Sequence, residues 1–241
     1  MGQDFPASHA SDQCRSESRL NCGARRFSAA REQASHQVGE SVEEAVRCAL
    51  AGGCIVYPTT TQPALGCLPE SVCLDRLYQL KGRASDMPVS IGVASLTQAE
   101  TLVEVPDEVR GLLADFPEGS LTVVLRAHET LDSRLGGDSV AIRVVAHPRA
   151  KLLLEVTGPL TATSANRSGE SPENDCDEAA RLLSSDGDTI EYVSGVCPGG
   201  SPSTLIVWYS VCDSTESGDI EVLREGVVSE LEVRSWLRRR T

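Results

Sequence analysis

The 241-residue sequence predicts an α/β domain with one sheet and helices packed against it, and three observations carry that prediction. Apolar residues at helical spacing alternate from Ser41 onward with short apolar runs of strand length. Gly52-Gly53, Pro58 and Gly82 fall where one kind of pattern gives way to the other. A hydrophobic content of 40% over this length supports one good core, and no internal repeat is present.

Residues 1–37 are rich in Ser, Ala, Arg and Gln and lack hydrophobic periodicity, so they read as a disordered extension preceding a domain over 38–241. Their Arg- and Ser-rich composition also fits an organellar transit peptide, against which Asp4 and Glu17 count. Ser41 and Glu44 form a capping-box pattern ahead of Val42, Ala45, Val46, Ala49 and Leu50, which predicts a helix to about Ala51. Cys54-Ile55-Val56-Tyr57 reads as a buried strand stopped by Pro58, with a Thr-rich turn after it. A second helix is expected over 71–80, released by Gly82, which puts Lys81 and Arg83 at a helix exit. Strands follow at 89–93, 121–125, 140–145 and 160–162, and helices at 107–116 and 148–156. The remainder predicts a helix near 177–183, strands near 189–193, 204–208 and 220–223, and a final helix opened by the Ser229 and Glu232 capping box.

Charge narrows the function. With 35 acids against 22 bases the formal net charge is −13, which argues against broad electrostatic attachment to nucleic acid. A polyanionic ligand therefore needs a local exception, and Lys81 is one of only two lysines, with Lys151. Nine cysteines at spacings that give no C-x-x-C predict reduced thiols rather than a disulfide framework or a zinc site, with Cys48 and Cys54 in the core and Cys14 and Cys22 in the polar tail. No stretch approaches the roughly 18 apolar residues of a membrane helix and no secretory h-region is present, so a soluble cytoplasmic protein is expected. His128 and His147 have no second ligand at metal-like spacing and read as surface or turn residues, so no metal ligand is assigned.

Two segments suit an anion. Lys81-Gly82-Arg83 offers a compact charge beside a guanidinium fork, although any surface helix end also collects cations to complement its dipole. Thr163-Ser164-Ala165-Asn166-Arg167-Ser168-Gly169 packs hydroxyls, an amide and a glycine closely enough to approach phosphate oxygens, although a capped polar turn looks much the same. Order along the chain adds weight: Tyr57-Pro58-Thr59-Thr60-Thr61, Lys81-Gly82-Arg83, Gly119-Ser120-Leu121-Thr122, Val140-Ala141-Ile142-Arg143, Ser164-Ala165-Asn166, Ser203-Thr204 and Leu223-Arg224-Glu225-Gly226.

This series resembles the YrdC-like family, the threonylcarbamoyl-AMP synthases that start the t6A modification of tRNA. The resemblance implies a twisted mixed sheet with a concave nucleotide-binding cleft, and an adenylyl transfer that joins L-threonine, bicarbonate and ATP, with Mg²⁺ and release of pyrophosphate. It implies that Lys81, Arg83, Ser164 and Asn166 hold and activate ATP, with Thr122, Ser171 and Arg224 adding nucleotide contacts. Thr61 and Arg126 would hold threonine, Arg126 through the carboxylate, with Ser203 or Thr204 completing the pocket and Arg143 bracing the sheet. The product would pass to a separate tRNA threonylcarbamoyl transferase complex. The chain departs from the family pattern at Gln62-Pro63-Ala64, at Met87, at Gly92 and in a shortened loop after Gly169. These departures leave open a module that kept the fold, lost synthesis and acts as an RNA-binding or regulatory protein. A related carbamoyl-adenylate former serving metallocentre assembly would need companion domains.

Overall fold

The computed structural model describes residues 40–184, 189–209 and 220–239. The expected extension over 1–37, the thiols of Cys14 and Cys22, and the Ser41 side chain lie outside the described residues. Among the described residues no helix is long and apolar enough to cross a membrane.

Helix α1, Glu40–Leu50, buries Val42, Ala45, Val46 and Ala49 on one stripe while Glu43, Glu44 and Arg47 face outward. Gly52, at φ +84°, ends it, a conformation that costs glycine nothing. Strand β1, Ile55–Tyr57, pairs antiparallel with β2, Ala64–Gly66, across the Thr-rich loop. Helix α2, Ser71–Lys81, ends on Gly82 in the left-handed region, whose N–H and that of Arg83 return to Gln79 and Tyr78.

Next come β3 (Ile91–Val93), the single turn α3 (Leu96–Ala99) capped by Ser95, α4 (Asp107–Asp115), β4 (Leu121–Arg126) and β5 (Ser139–Val144). Helix α5, Pro148–Thr157, starts on a proline whose missing N–H would have been unpaired anyway. The rest is β6 (Leu160–Thr161), β7 (Thr163–Ser164), α6 (Cys176–Leu183), β8 (Glu191–Tyr192), β9 (Thr204–Trp208), β10 (Ile220–Arg224) and α7 (Glu230–Arg238). The Ser229–Glu232 capping box that opens α7 is formed as expected.

The fold is α/β, but the single sheet expected from sequence is two mixed sheets. One has order β7-β2-β1-β8 and the other β10-β9-β4-β5-β3-β6. The physical reason lies in the segment 160–164, read from sequence as a strand over 160–162 followed by a loop: β6 pairs with β3 of the larger sheet, and two residues later β7 pairs with β2 of the smaller one. Buried polar contacts hold this crossing. The Tyr57 hydroxyl donates to the Thr161 carbonyl at 2.8 Å, and the Thr161 hydroxyl accepts from the Cys67 N–H at 3.0 Å.

Side-chain alternation on the larger sheet then separates core from site. Leu121, Val123 and Leu125 of β4, with Val140 and Ile142 of β5, enter the core. Thr122 and Arg143 alternate out of that set and look to the opposite face.

At Gly92, one of the departures from the resemblance, the structure leaves no room for a side chain. A Cβ there would stand 2.7 Å from the Tyr57 hydroxyl and 3.2 Å from the Ala162 methyl, so the tyrosine occupies the space of a side chain. Gly92→Ala is therefore expected to destabilise the fold by about 1–3 kcal/mol through overpacking. The double variant with Tyr57→Phe should recover part of that loss in denaturant unfolding; equal stability of Gly92→Ala and wild type would contradict the packing account.

Candidate active site

Above that opposite face lies a hollow of about 300 Å³, lined by Thr61–Ala64 of the β1–β2 loop, Arg83, Pro88–Ser90, Thr122, Ala141, Arg143, Ala162–Ser164, Pro202, Ser203, Leu205 and Arg224. The larger sheet forms its floor through Thr122, Ala141, Arg143 and Leu205. The segment that crosses between sheets forms one wall.

Lys81 joins the two halves of the site. It is buried at the end of α2, and its ammonium donates to the carbonyl of Ser164 and, at 2.7 Å, to that of Asn166. The Ser168 N–H returns to the Lys81 carbonyl at 2.8 Å. The K-x-R and S-x-N segments, 83 or more residues apart in sequence, thus meet through the lysine itself. Its donors serve backbone carbonyls, so in this conformation the ammonium shapes the loop from behind.

Asn166 behaves likewise: its amide nitrogen donates to the carbonyls of Arg167 and Glu170 at 2.8 and 2.7 Å, folding the loop on itself. Its buried side-chain oxygen has no partner among the described residues. Ser164, by contrast, lines the hollow directly.

Three arginines supply the charge. Arg83 is held by the carbonyls of Met87 and Pro88 at 2.8 and 3.0 Å, and Arg224 by that of Ser203 at 2.8 Å. Arg143, 6% exposed, donates to the Gly119 carbonyl at 3.0 Å and to the Thr61 hydroxyl at 2.9 Å. It braces the sheet as expected and also lines the hollow. Among the described residues none of the three pairs with a carboxylate, and no Asp or Glu lines the hollow. Burial pushes Arg143 down to about 10, and the nearby Arg224 adds to that shift. Burial and then Arg83 lower Arg224 in turn.

Hydroxyls complete the lining. Thr122 and Ser203 share a hydrogen bond at 2.7 Å, and Thr61 is fixed by Arg143 and by contact with Thr59 at 3.3 Å.

Three residues expected at the site stand elsewhere. Arg126 is exposed and borders a different depression, with Glu104, His128 and Ser139. It points to the same side of β4 as Thr122, but four residues, or about 13 Å, further along the strand, beyond the reach of the Thr61 pocket. Ser171 is exposed in the loop after the glycine and does not line the hollow. Thr204 is fully buried, its hydroxyl accepting from the N–H groups of Gly226 and Val228 and donating to the Val228 carbonyl.

The rebuilt wall at 62–64 is accounted for by its backbone. The Pro63 carbonyl accepts from the Ala165 N–H at 2.9 Å, the Gln62 carbonyl from the Thr59 hydroxyl at 2.7 Å, and the Gln62 side chain reaches the Gly200 carbonyl at 2.8 Å. Met87 projects to solvent, and only its carbonyl serves the site. Sequence reasoning missed Ala162 as a lining residue and gave Thr163, which opens the anion-suited segment, no role of its own; both line the hollow beside Ser164.

The Sua5/YciO/YrdC family model, described as "Telomere recombination", matches residues 48–226. The chain belongs to that family. A putative threonylcarbamoyl-AMP synthase of Mycobacterium tuberculosis is 34% identical over 197 residues, covering 80% of this chain and 87% of that protein. The crystal structure of Pyrococcus abyssi Sua5 complexed with L-threonine superposes with a TM-score of 0.68 at 29% identity, over 80% of this chain and 56% of that one. Escherichia coli YciO gives 0.64 at 25% identity, over 79% and 91%. The chain is thus a homologue of threonylcarbamoyl-AMP synthases over most of its length.

Lys81 makes a pH prediction. Burial first, and the Arg83 charge second, push it from its ordinary 10.5 down to about 8. Between those values the unfolded chain still binds a proton that the folded chain has released, so folding grows more favourable as pH rises through this window. Wild type should therefore gain stability relative to Lys81→Met when the pH is raised from about 8 toward 10.5. Parallel stability curves for the two proteins would contradict a buried, charge-disfavouring site.

Proposed function

We propose that the chain is an L-threonylcarbamoyladenylate synthase, joining L-threonine, bicarbonate and ATP with release of pyrophosphate, for t6A modification of tRNA. One observation carries this reading beyond family membership. Three arginines converge on a hollow with no acid in its lining, within a chain of net charge −13. Such mutual repulsion suits a ligand that brings several negative charges.

Arg83 and Arg224 hold the nucleotide phosphates, with Ser164 and Thr122 contributing hydroxyls. Arg143 stands beside Thr61 and takes the amino acid carboxylate in place of Arg126. Ser203 completes that end. Lys81 and Asn166 act as positioning residues that hold the Ser164 loop against α2. The lining offers hydroxyl oxygens but no carboxylate, so Mg²⁺ would be carried by the phosphates with few protein ligands.

The chemistry requires positioning more than a nucleophile. The threonine amine and bicarbonate give a carbamate and water, and a carbamate oxygen attacks the α-phosphorus while pyrophosphate leaves. Arginines aligned on the phosphates offset the charge that builds in that step, and a concave site raises the effective concentration of the carbamate. The product then passes to a separate tRNA threonylcarbamoyl transferase complex.

The test is direct. Protein incubated with ATP, Mg²⁺, bicarbonate and single amino acids should release pyrophosphate and form the adenylate only with L-threonine; absence of threonine-dependent turnover would overturn the reading. Arg143→Gln should lower kcat/KM by about a hundredfold or more while unfolding remains cooperative. Arg126→Gln should change kcat/KM by less than about threefold, since a surface charge this far away acts only through solvent.

A further inference from the structure

Behind the Thr-rich wall of the hollow lies a pair of thiols that the adenylyl transfer does not use. Cys176 is the first residue of α6, and Cys197 sits on the segment that runs beside it. Asp175 and Val196 form an antiparallel bridge, the Cys176 N–H donates to the Gly195 carbonyl at 3.0 Å, and the Cys197 N–H donates to the Asn174 carbonyl at 2.8 Å. This short ladder sets the two thiols against each other.

The Cys197 segment also supports the hollow. The Thr59 N–H donates to the Cys197 sulfur at 3.3 Å, the Gly199 N–H to the Thr61 carbonyl at 2.7 Å, and the Gln62 side chain to the Gly200 carbonyl. Thr61 in turn holds Arg143. The position of this sulfur is therefore coupled, in three contacts through Thr59 and Thr61, to an arginine of the site.

We propose that Cys176 and Cys197 are a modification site: a hydroperoxide oxidises them to a disulfide, and that bond disables the neighbouring hollow.

The surroundings favour Cys197 as the attacking sulfur. The Cys176 thiol donates to it and, with the Thr59 N–H and the Arg143 charge, lowers its pKa, whereas Cys176 is raised by the same contact and by burial. Both thiols are nearly inaccessible in the closed structure, at 0% and 3% exposure, but Cys197 follows Val196, which is 69% exposed. Opening of that surface segment admits a small peroxide.

The chemistry balances. The Cys197 thiolate attacks a peroxide oxygen, the S–O bond forms, the O–O bond breaks, and the departing alkoxide or hydroxide takes up a proton. The Cys176 sulfur then attacks the resulting sulfenic acid, the S–S bond forms, and hydroxide leaves as water with the Cys176 proton. Two thiols and one peroxide give one disulfide, one alcohol or water from the peroxide, and one further water. The Cys197 sulfur, turned toward Cys176, no longer accepts from Thr59, so the loop that holds Thr61 loses one of its anchors and the Gly199 and Gly200 contacts move with the bridged segment.

A second thiol pair provides an internal comparison. Cys54 and Cys67 flank the β1–β2 ladder and also contact each other, but both belong to the hydrophobic core and neither lines the hollow.

To test the proposal, the reduced full-length protein is exposed to hydrogen peroxide, alkylated and peptide-mapped, with threonine-dependent turnover and ATP binding followed in parallel. A Cys176–Cys197 bridge should form before any other, and kcat/KM should fall by about tenfold or more and return with dithiothreitol. Cys176→Ser, or Cys176→Ala if serine unfolds the protein, should keep wild-type basal turnover and retain it after the same exposure. A map without that bridge, an earlier Cys54–Cys67 bridge, or a bridged protein with unchanged turnover and ATP binding overturns the proposal. If reduced protein shows no turnover, the synthase reading fails, while the peptide map and the loss of ATP binding still decide the thiol proposal.

Discussion

The buried ammonium of Lys81 is the interaction on which the site depends. It lies at the end of a helix whose last turn is closed by a left-handed glycine, and it meets two carbonyls of a loop 83 and 85 residues away. An ammonium in this setting costs free energy to desolvate, and two carbonyl acceptors offset part of that cost. The consequence is geometric: Ser164 is fixed at the wall, and Arg83, two residues after the lysine, is delivered to the mouth. Together with the Ser168 N–H on the Lys81 carbonyl, this contact makes the two signature segments face each other.

The second constraint is electrostatic. Burial first, and then a neighbouring guanidinium, lowers the proton affinity of Arg143 and of Arg224, and among the described residues no acid in the lining relieves them. A folded protein tolerates this because each guanidinium is anchored through backbone carbonyls, which accept hydrogen bonds without adding a negative charge. The arrangement is preorganised for an anion, so little reorganisation accompanies binding. It also explains how an acidic chain can hold a nucleotide: the surrounding negative charge faces solvent, and the exception is confined to one concave face.

Much of the fold was legible in the sequence because local patterns and tertiary structure agree there. The amphipathic stripe of α1, the glycine exit of α2 and the capping box of α7 are decided within a few residues. The two-sheet arrangement was not legible, because the choice between β3 and β2 as partner for the residues around Ala162 is made by contacts as far as 104 residues away, among them Tyr57 with Thr161. Within the site, the ordered motifs identified Arg83, Thr122, Ser164, Ser203, Thr61 and Arg224, all of which line the hollow. Sequence order could not distinguish Arg126 from Arg143. Both follow strand alternation on the same face, and only the register between β4 and β5 puts Arg143 beside Thr61 while carrying Arg126 toward the far end. Thr204 was misplaced for a related reason: a hydroxyl adjacent to a site residue points the other way on a strand and finds backbone partners in the core.

The most direct test of this account is a crystal structure with a non-hydrolysable ATP analogue and magnesium. The account predicts phosphate oxygens between Arg83 and Arg224, with Arg143 left beside Thr61 for the amino acid and the Ser164 loop still tied to Lys81. Phosphates bound in the depression around Arg126, or a hollow left without nucleotide at saturating analogue, would contradict it.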